Sequence, residues 1–242
     1  MKKYIFLFIY IFLITCHLHC YQSQKHQDKW IIEEVFPSKK GGFFVDLAAS
    51  NGIHFNNTYV LEKDYDWNGI CIEPNPLFLN ELSDNRSCTI VPYCIDSIER
   101  EISFRIDNLE LGGIIDKDTD NNYSKRSEEL YYSKKHNGII TLNTKTLEQI
   151  LDELNAPSII DYLSLDVEGA ETRILRNFPF EKYIFLAMTI ERPSVELNYL
   201  LKKHGYVFVK NSKKDFFYVH QSISNFKEIK KSPFKQVPQK TK

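Results

Sequence analysis

Acidic side chains follow the apolar runs in the middle of this sequence. Asp46 lies near the end of "FFVDL", Glu73 follows "GICI", and Asp166 and Glu168 follow "IIDYLSL", while Asp96 and Glu191 come at the ends of two further apolar runs. Carboxylates accept hydrogen bonds from ligand hydroxyls, balance cations, and take protons from reacting groups. In an open α/β sheet, ligands bind beyond the carboxyl ends of the strands. If the runs are parallel strands, these acids therefore predict one binding site.

The apolar runs alternate with segments of helical character. Strands are expected at 43–47, 69–72, 87–95, 158–165 and 183–191, and two short runs, "YVFVK" and "FFYVH", add closing strands. "TLEQILDEL" and "PSVELNYLLKKHG" have apolar residues at helical spacing. This alternation predicts an α/β fold with a parallel sheet covered on both faces.

The loop after the first strand, "DLAASNG", indicates the kind of ligand. A dinucleotide site normally uses GxGxxG, and this loop has one glycine where three are expected. The chain also lacks the GK[ST] element of nucleoside triphosphate sites. The small side chains of Ala48 and Ala49 allow close approach of a nucleoside, and Glu73 can accept hydrogen bonds from both ribose hydroxyls. S-adenosylmethionine fits these features, and its positive charges suit an acidic site.

Four blocks in a fixed order carry a family resemblance. "GGFFVDLAASNGIHFNNTYVLEKDYDWNGICIEPNP", "IIDYLSLDVEGAETRILRNFPF", "LAMTIERP" and "DFFYVH" resemble successive motifs of FkbM-type methyltransferases, over about residues 40–220. The resemblance implies a domain at 30–222 with a Rossmann-like class I methyltransferase fold. Such a fold has a central, mostly parallel sheet, helices on both faces and an antiparallel final strand. It also implies S-adenosylmethionine as cofactor and O-methylation of a hydroxyl on a sugar, glycan or related small molecule.

The resemblance also assigns roles to residues. The residues that it implies in cofactor binding are Asp46, Ala48, Ala49, Asn51, Gly52, Glu73, Asp96 and Asp166. Among these, Glu73 is expected on the ribose, the segment 94–96 beside the adenine, and "LDVEGAE" near the transferred methyl group. Family loops commonly have glycine at the position of Ala48, so this chain departs from the pattern there.

Asp166 is the predicted catalytic base, and Glu168 is the second catalytic candidate. Glu168 could instead anchor its loop by accepting backbone N–H bonds. We do not expect both carboxylates to contact the same ligand atom. Glu171 falls in the first turn of a helix, where an acid is favoured for structural reasons. A divalent cation could activate the hydroxyl, but no ligand spacing requires one, so no metal is predicted.

The acceptor side of the site is less defined by sequence. Glu191 and Arg192 either pair with each other or line the acceptor pocket. The polar segment 116–138 reads as a mobile insertion or lid. Its tyrosines, Tyr123, Tyr131 and Tyr132, either stack on sugar rings or are ordinary surface aromatics.

The chain ends have their own character. Two lysines precede an apolar run from Tyr4 to Cys16, which is typical of a secretory signal and is shorter than the about 20 residues that span a bilayer. Residues 1–21 are therefore predicted as a signal peptide or signal anchor. The prediction places the protein in the secretory pathway or at a membrane, rather than in the cytoplasm. Residues 226–242 are rich in lysine and are predicted to be a disordered tail.

Composition and cysteines limit the partners. The formal net charge is -1, so no overall field attracts nucleic acid, and no nucleic-acid partner is predicted. In an oxidising compartment Cys88 and Cys94 could form a disulfide, while Cys71 reads as a buried thiol.

A second function class stays open. Proteins that resemble the Star-like trafficking proteins of animals combine an N-terminal hydrophobic segment with this type of domain. The alternative to an enzyme is therefore a membrane-anchored, catalytically inactive protein that acts in binding or trafficking.

Overall fold

The structure is a computed structural model and describes residues 21–235. The strands are β1 (Phe43–Leu47), β2 (Asn68–Ile72), β3 (Thr89–Val91), β4 (Cys94–Ile95), β5 (Glu101–Arg105), β6 (Gly113–Ile114), β7 (Ile139–Lys145), β8 (Ile159–Leu165), β9 (Ile184–Glu191), β10 (Tyr206–Ser212) and β11 (Asp215–His220). The α-helices are α1 (Gln27–Trp30), α2 (Tyr59–Tyr65), α3 (Leu79–Asn85), α4 (Tyr123–Lys135), α5 (Leu147–Glu153), α6 (Glu171–Arg176) and α7 (Val195–Lys203). A π-helical turn, Ile31–Val35, follows α1, and a 3-10 turn, Leu109–Leu111, precedes β6.

Seven strands form the main sheet in the order β10-β11-β9-β8-β1-β2-β3. The pairs from β9 to β3 are parallel, whereas β11 is antiparallel to both β9 and β10. Because β1 lies beside β8, the carboxyl ends of both strands open on the same crevice, where the strand order reverses. The predicted fold class is confirmed, including the antiparallel final strand.

Both faces of the main sheet are buried. Along β1, Val45 and Leu47 belong to one apolar core, and Phe44 belongs to the core on the other face. Successive side chains of a strand point to opposite faces, so a strand covered on both sides must be apolar at nearly every position. Each fully buried aliphatic or phenylalanine side chain stabilises the fold by about 1.5–3 kcal/mol. The uninterrupted apolar runs in the sequence follow from this double burial.

The predicted third strand, 87–95, is two strands in two different sheets. β3 pairs with β2 in the main sheet, while β4 pairs with β7 in a second, four-stranded sheet of order β4-β7-β5-β6. Pro92 separates them, and proline removes the backbone donor that a continuous strand would use. The second sheet covers the crevice beside β1 and β2, so it forms part of the site.

The polar segment 116–138 contains a packed helix, α4, rather than only a loop. Leu130 of this helix is fully buried. Glu129 pairs with Arg105 on β5 at 2.9 Å, and Ser133 donates to Asp107 at 3.0 Å. α4 is therefore attached to the second sheet through both apolar and charged contacts.

The predicted terminal segments extend beyond the described residues. The predicted signal or anchor, apart from Tyr21, lies outside them, as do residues 236–242 of the predicted tail. Within residues 226–235, Ile229 is buried, and the Ser232 amide donates to the Val209 carbonyl at 2.7 Å. The apolar residues between the lysines explain this packing. Among residues 21–235, no helix has the length and apolar character needed to cross a membrane.

The cysteines do not pair as the sequence suggested. Cys88 lies against Cys71, with their Sγ atoms 3.3 Å apart, and both are free thiols, as is Cys94. Cys88 precedes β3 and faces β2, whereas Cys94 belongs to the second sheet. The split between β3 and β4 therefore removes the Cys88–Cys94 pairing.

Candidate active site

The turn after β1 brings the backbone close to the crevice. Ala48 has a φ of 65°, in the left-handed region, and its amide donates to the Ile72 carbonyl at 2.9 Å. The Ala49 amide donates to the same carbonyl at 3.2 Å. The turn is thus fastened to the end of β2, and the small side chains of Ala48 and Ala49 leave room beside it.

Glu73, directly after β2, is held in place by the backbone. One carboxylate oxygen accepts from the Ser50 amide and the other from the Asn75 amide, each at 2.8 Å. The side chain is 4% exposed, and burial raises its pKa to about 7. Each oxygen keeps a lone pair for a further donor. Two such lone pairs suit the two hydroxyls of a ribose.

A narrow, mostly apolar cavity lies beside Glu73. Its walls come from both sheets and include Ile72, Phe78, Tyr93, Cys94, Phe104 and Ile114. A flat aromatic base buries its faces well between apolar side chains. Cys94, beside which the sequence resemblance predicts the adenine, lines this cavity.

Asp46 fastens the loop rather than pointing freely into the crevice. One of its carboxylate oxygens accepts from Asn56 Nδ2 at 2.9 Å and from Thr58 Oγ1 at 2.8 Å. The side chain is 2% exposed, although the residue contributes to the wall of the larger cavity described below. Burial raises its pKa, and Arg86 together with the hydrogen bonds opposes that rise.

Asn51 and Gly52 belong to the loop after β1 but line neither of the two cavities. Asn51 Oδ1 accepts from the amides of Ile53 and His54 at 3.1 and 2.9 Å. Gly52 has a φ of 84°, and a Cβ there would lie 2.7 Å from Arg86 Cγ. Both residues therefore shape the loop.

Asp96, placed beside the adenine by the resemblance, is occupied by arginines. It pairs with Arg100 at 2.8 Å and with Arg173 at 2.9 Å, and it is 1% exposed. Its neighbours Cys94 and Ile95 line the apolar cavity, whereas Asp96 does not.

A larger cavity of about 1060 Å³ continues from the loop across the ends of β8 and β9. Asp166, Glu168 and Glu191 form its acidic wall. Within residues 21–235, no hydrogen bond or ion pair holds the Asp166 carboxylate, in contrast to Asp46 and Asp96. Desolvation, followed by the charges of Glu191 and Glu168, raises the pKa of Asp166 well above its ordinary value.

Asp166 and Glu168 line the same cavity and are close enough to contact one ligand atom together, which the sequence did not predict. One carboxylate oxygen from each, together with one from Glu191, lies within 4.8 Å of the others. The strand has already ended at Leu165, and Glu168 has a φ of 54°, which turns the chain back. The alternation of a strand therefore does not apply beyond Leu165.

The loop between β8 and α6 is anchored by Glu171, not by Glu168. Glu171 Oε1 accepts from the amides of Val167 and Gly169, each at 3.1 Å. The side chain is 2% exposed, and burial raises its pKa to about 7. The structural reading of Glu171 agrees with these contacts.

Arg192 balances part of the acidic wall. It pairs with Glu191 at 2.5 Å and with Glu168 at 3.1 Å, and it also contacts Asp120. The two alternatives for Glu191 occur together, since it pairs with Arg192 and lines the cavity. Carboxylate oxygens are the ligands that Mg²⁺ and Ca²⁺ prefer, and Arg192 pairs with two of the three clustered acids.

Sequence reasoning missed other residues that line this cavity. Lys25 from the segment before α1 and Lys213, Lys214 and Asp215 from the β10–β11 turn line it. No motif marks these residues, because they come from polar stretches far apart in the chain. In contrast, Tyr123, Tyr131 and Tyr132 are exposed and line neither cavity.

The strand order, the acidic residue after β2 and the crevice between β1 and β8 are those of the class I methyltransferase fold. A family model, the methyltransferase FkbM domain, matches residues 46–208. The chain belongs to this FkbM family of S-adenosylmethionine-dependent methyltransferases. Its cofactor is S-adenosylmethionine, and the residues fit it: Glu73 offers two acceptors for the ribose, and the apolar cavity beside it offers a place for the base.

Two solved structures are similar to this chain. One is a precorrin-6Y C5,15-methyltransferase from Geobacter metallireducens, with 10% identity and a TM-score of 0.39, covering 79% of this chain and 85% of that chain. The other is TrmK from M. capricolum in complex with S-adenosylhomocysteine, with 10% identity and a TM-score of 0.40, covering 82% of this chain and 68% of that chain. No curated protein sequence matches this chain.

Proposed function

We propose that this protein is an O-methyltransferase that acts on a hydroxyl of a sugar, a glycan or a related small molecule. The observation that carries the proposal is Asp166. Its carboxylate lies in the large cavity beside the cofactor loop. Within the described part of the chain, this carboxylate accepts no hydrogen bond and forms no ion pair. A polar group that the fold leaves unpaired in a cavity is available to a substrate.

An alcohol is a poor nucleophile until its proton is removed. When bound, S-adenosylmethionine supplies the electrophilic methyl group. Asp166 accepts the hydroxyl proton, and the cavity walls hold the acceptor oxygen in place. The raised pKa of Asp166 suits this role, since a base with a pKa nearer to neutral binds the proton more strongly than an ordinary aspartate.

Glu168, Glu191 and Arg192 set the electrostatic environment of Asp166. Desolvation, and then the charges of Glu191 and Glu168, raises its pKa, and Arg192 pairs with both glutamates. Glu168, the second catalytic candidate, is thus tied to Arg192 and acts on Asp166 through its charge.

The cavity is large enough for an acceptor of the size of a sugar residue. Its volume of about 1060 Å³ exceeds the 300–1,000 Å³ of ordinary small-molecule sites. Phe55, which is 48% exposed, also lines the cavity. An aromatic face beside polar groups is a suitable contact for a sugar ring.

The test is Asp166→Asn, compared with wild type in transfer of a labelled methyl group from S-adenosylmethionine to a panel of sugars and glycans. We expect kcat to fall by about 10²–10⁴-fold, the usual contribution of a general base, while cofactor affinity in calorimetry stays within a few-fold. Asp84→Asn, an exposed aspartate on α3, is the matched control and should retain activity. Unchanged turnover in Asp166→Asn would show that Asp166 is not the base.

A further inference from the structure

Part of the wall of the large cavity carries lysines. Lys25, Lys213 and Lys214 line it and come from two segments that the fold brings together. Gln27 Nε2 donates to Asp215 at 3.0 Å, which joins the start of α1 to the start of β11. Asp28, fully buried, accepts from the amides of Gln22 and Ser23 at 2.7 and 3.1 Å. Buried hydrogen bonds thus fix the positions of the two segments that carry these lysines.

The turn that carries Lys213 and Lys214 is also fixed. The Lys214 carbonyl accepts from the Arg192 amide at 2.8 Å, and the Lys213 carbonyl accepts from Asn211 Nδ2 at 3.2 Å. Arg192 is the residue that pairs with the acidic wall. The acidic and basic sides of the cavity are therefore parts of one connected arrangement around the end of β9.

The charges on the basic side are not neutralised by ion pairs. Across residues 21–235, Lys25, Lys213 and Lys214 make no salt bridge, and Lys25 Nζ donates only to uncharged oxygens of Gln24. Lys25 is partly buried, and desolvation, followed by repulsion from Lys213, lowers its pKa, although Asp215 and Asp166 oppose this. Two ammonium groups that repel each other at a cavity wall are stabilised when a negative charge binds beside them.

Asp215 and Asp166 favour the charged form of Lys25, but among the described residues no acid forms an ion pair with Lys25, Lys213 or Lys214. Asp215 is buried and accepts from Gln27, while Glu191 is paired with Arg192. Lys213 and Lys214 are exposed at the outer side of the cavity, and the acidic wall lies deeper, at the strand ends. A ligand that fills the cavity would therefore meet both carboxylates and ammonium groups.

We infer that Lys25 and Lys213, with Lys214 beside them, bind an anionic group of the methyl acceptor, which is a phosphate- or carboxylate-bearing sugar or glycan. This inference rests on the proposed function, since the hydroxyl would lie at Asp166 while the anionic group lies at the lysines. An anion there forms charge-assisted hydrogen bonds and removes the repulsion between the two ammonium groups.

The test measures binding of inorganic phosphate, glucose 6-phosphate, glucuronate and glucose to the full chain saturated with S-adenosylhomocysteine. Phosphorus NMR measures the binding of inorganic phosphate and glucose 6-phosphate. The binding of glucuronate is measured by its competition with inorganic phosphate. We expect saturable binding of the anions but not of glucose, weakened at least ten-fold in the double variant Lys25→Met with Lys213→Met. The double variant Lys25→Arg with Lys213→Arg, which keeps both positive charges, should still bind the anions. A higher affinity for glucuronate than for glucose 6-phosphate would identify a carboxylate as the anionic group of the acceptor. A higher affinity for glucose 6-phosphate would identify a phosphate.

The matched control is Lys202→Met with Lys203→Met, which removes the same charge at the exposed end of α7. All variants should bind S-adenosylhomocysteine as wild type does, which verifies folding. Absence of saturable anion binding by wild type, or wild-type affinity in the Lys25 and Lys213 double variant, would overturn the inference. Methylation of neutral glycans would then leave the proposed function standing. Anion binding without any Asp166-dependent methyl transfer would instead contradict the proposed function and leave the anion site standing.

Discussion

Asp166 and Glu168 share a chain segment but differ in their contacts. Asp166 has no partner among the described residues, whereas Glu168 pairs with Arg192 at 3.1 Å. Desolvation, and then the charge of Glu191, raises the pKa of Glu168 to about 7 in spite of Arg192. Because the acids titrate together, the pH dependence of the reaction belongs to the cluster.

This cluster predicts the pH profile of catalysis. The base must be deprotonated, so kcat/KM should rise with pH and level off well above the ordinary aspartate pKa of about 3.9. Arg192→Met removes the positive charge that favours the ionised acids, so the acidic limb should move to higher pH by about one unit or more. A pH series of kcat/KM with a methyl acceptor measures both. A limb near pH 4, or no displacement in the variant, would contradict this account.

Glu73 provides a test of cofactor binding that does not depend on the acceptor. Glu73→Ala removes both oxygens, and with them the hydrogen bonds to ribose hydroxyls, each worth about 1.5–3 kcal/mol for a charged acceptor. We expect calorimetry to show at least a ten-fold weaker affinity for S-adenosylmethionine. Glu228→Ala, at an exposed glutamate, should bind as wild type does. Equal affinity in both variants would place the ribose elsewhere.

At the scale of elements, the loop after β1 holds its shape at a conformational cost. Ala48 adopts a φ of 65°, a region that costs a non-glycine residue about 1–2 kcal/mol. Ala48→Gly should therefore raise the free energy of unfolding by about 1 kcal/mol, measured by urea denaturation. Ala49→Gly, at a buried neighbour outside the left-handed region, should lower it. A loss of stability in Ala48→Gly would show that the turn relaxes to another conformation.

Most elements could be predicted, but their sheet membership could not. The expected strands at 43–47, 69–72 and 158–165 agree with β1, β2 and β8 within a residue, because double burial requires uninterrupted apolar runs. The run 87–95 is equally apolar, yet it divides between two sheets. Pairing with β2 or with β7 depends on residues far away in the chain. Local apolar pattern carries no information about that choice.

At the scale of the whole molecule, several acids are buried at the site. Burial raises the pKa values of Glu73 and Glu171 to about 7 and that of Asp215 to about 6. In the unfolded chain their pKa values are near 4, so the folded state binds protons more tightly between these limits. The stabilisation from protonated acids is complete below pH 4 and is lost as the pH rises towards 7. The lowered pKa values of Glu62 and Asp107 act only below this range.

The free energy of unfolding should therefore decrease from pH 5 to pH 7.5. A single buried acid contributes up to about 3 kcal/mol to this decrease, at 1.36 kcal/mol for each unit of pKa. Urea denaturation at several pH values measures the slope. Glu171→Gln, which keeps an acceptor for the two amides, should reduce the slope, whereas exposed Glu181→Gln should leave it unchanged. A stability that rises with pH across this interval would contradict the burial of these acids.

The sequence by itself determined the fold class, the cofactor and the deep side of the site. Apolar runs followed by acids place Glu73 and Asp166 at strand ends, because a parallel sheet gathers those ends at one edge. Only the tertiary structure decided that Glu168 turns towards Asp166, that Glu171 anchors the loop, and that Lys25 lies near Lys213. The first two depend on backbone turns beyond the last strand residue. The last depends on buried contacts between segments about 190 residues apart, such as Gln27 with Asp215. Such pairings are set by packing, which no local pattern of residues records.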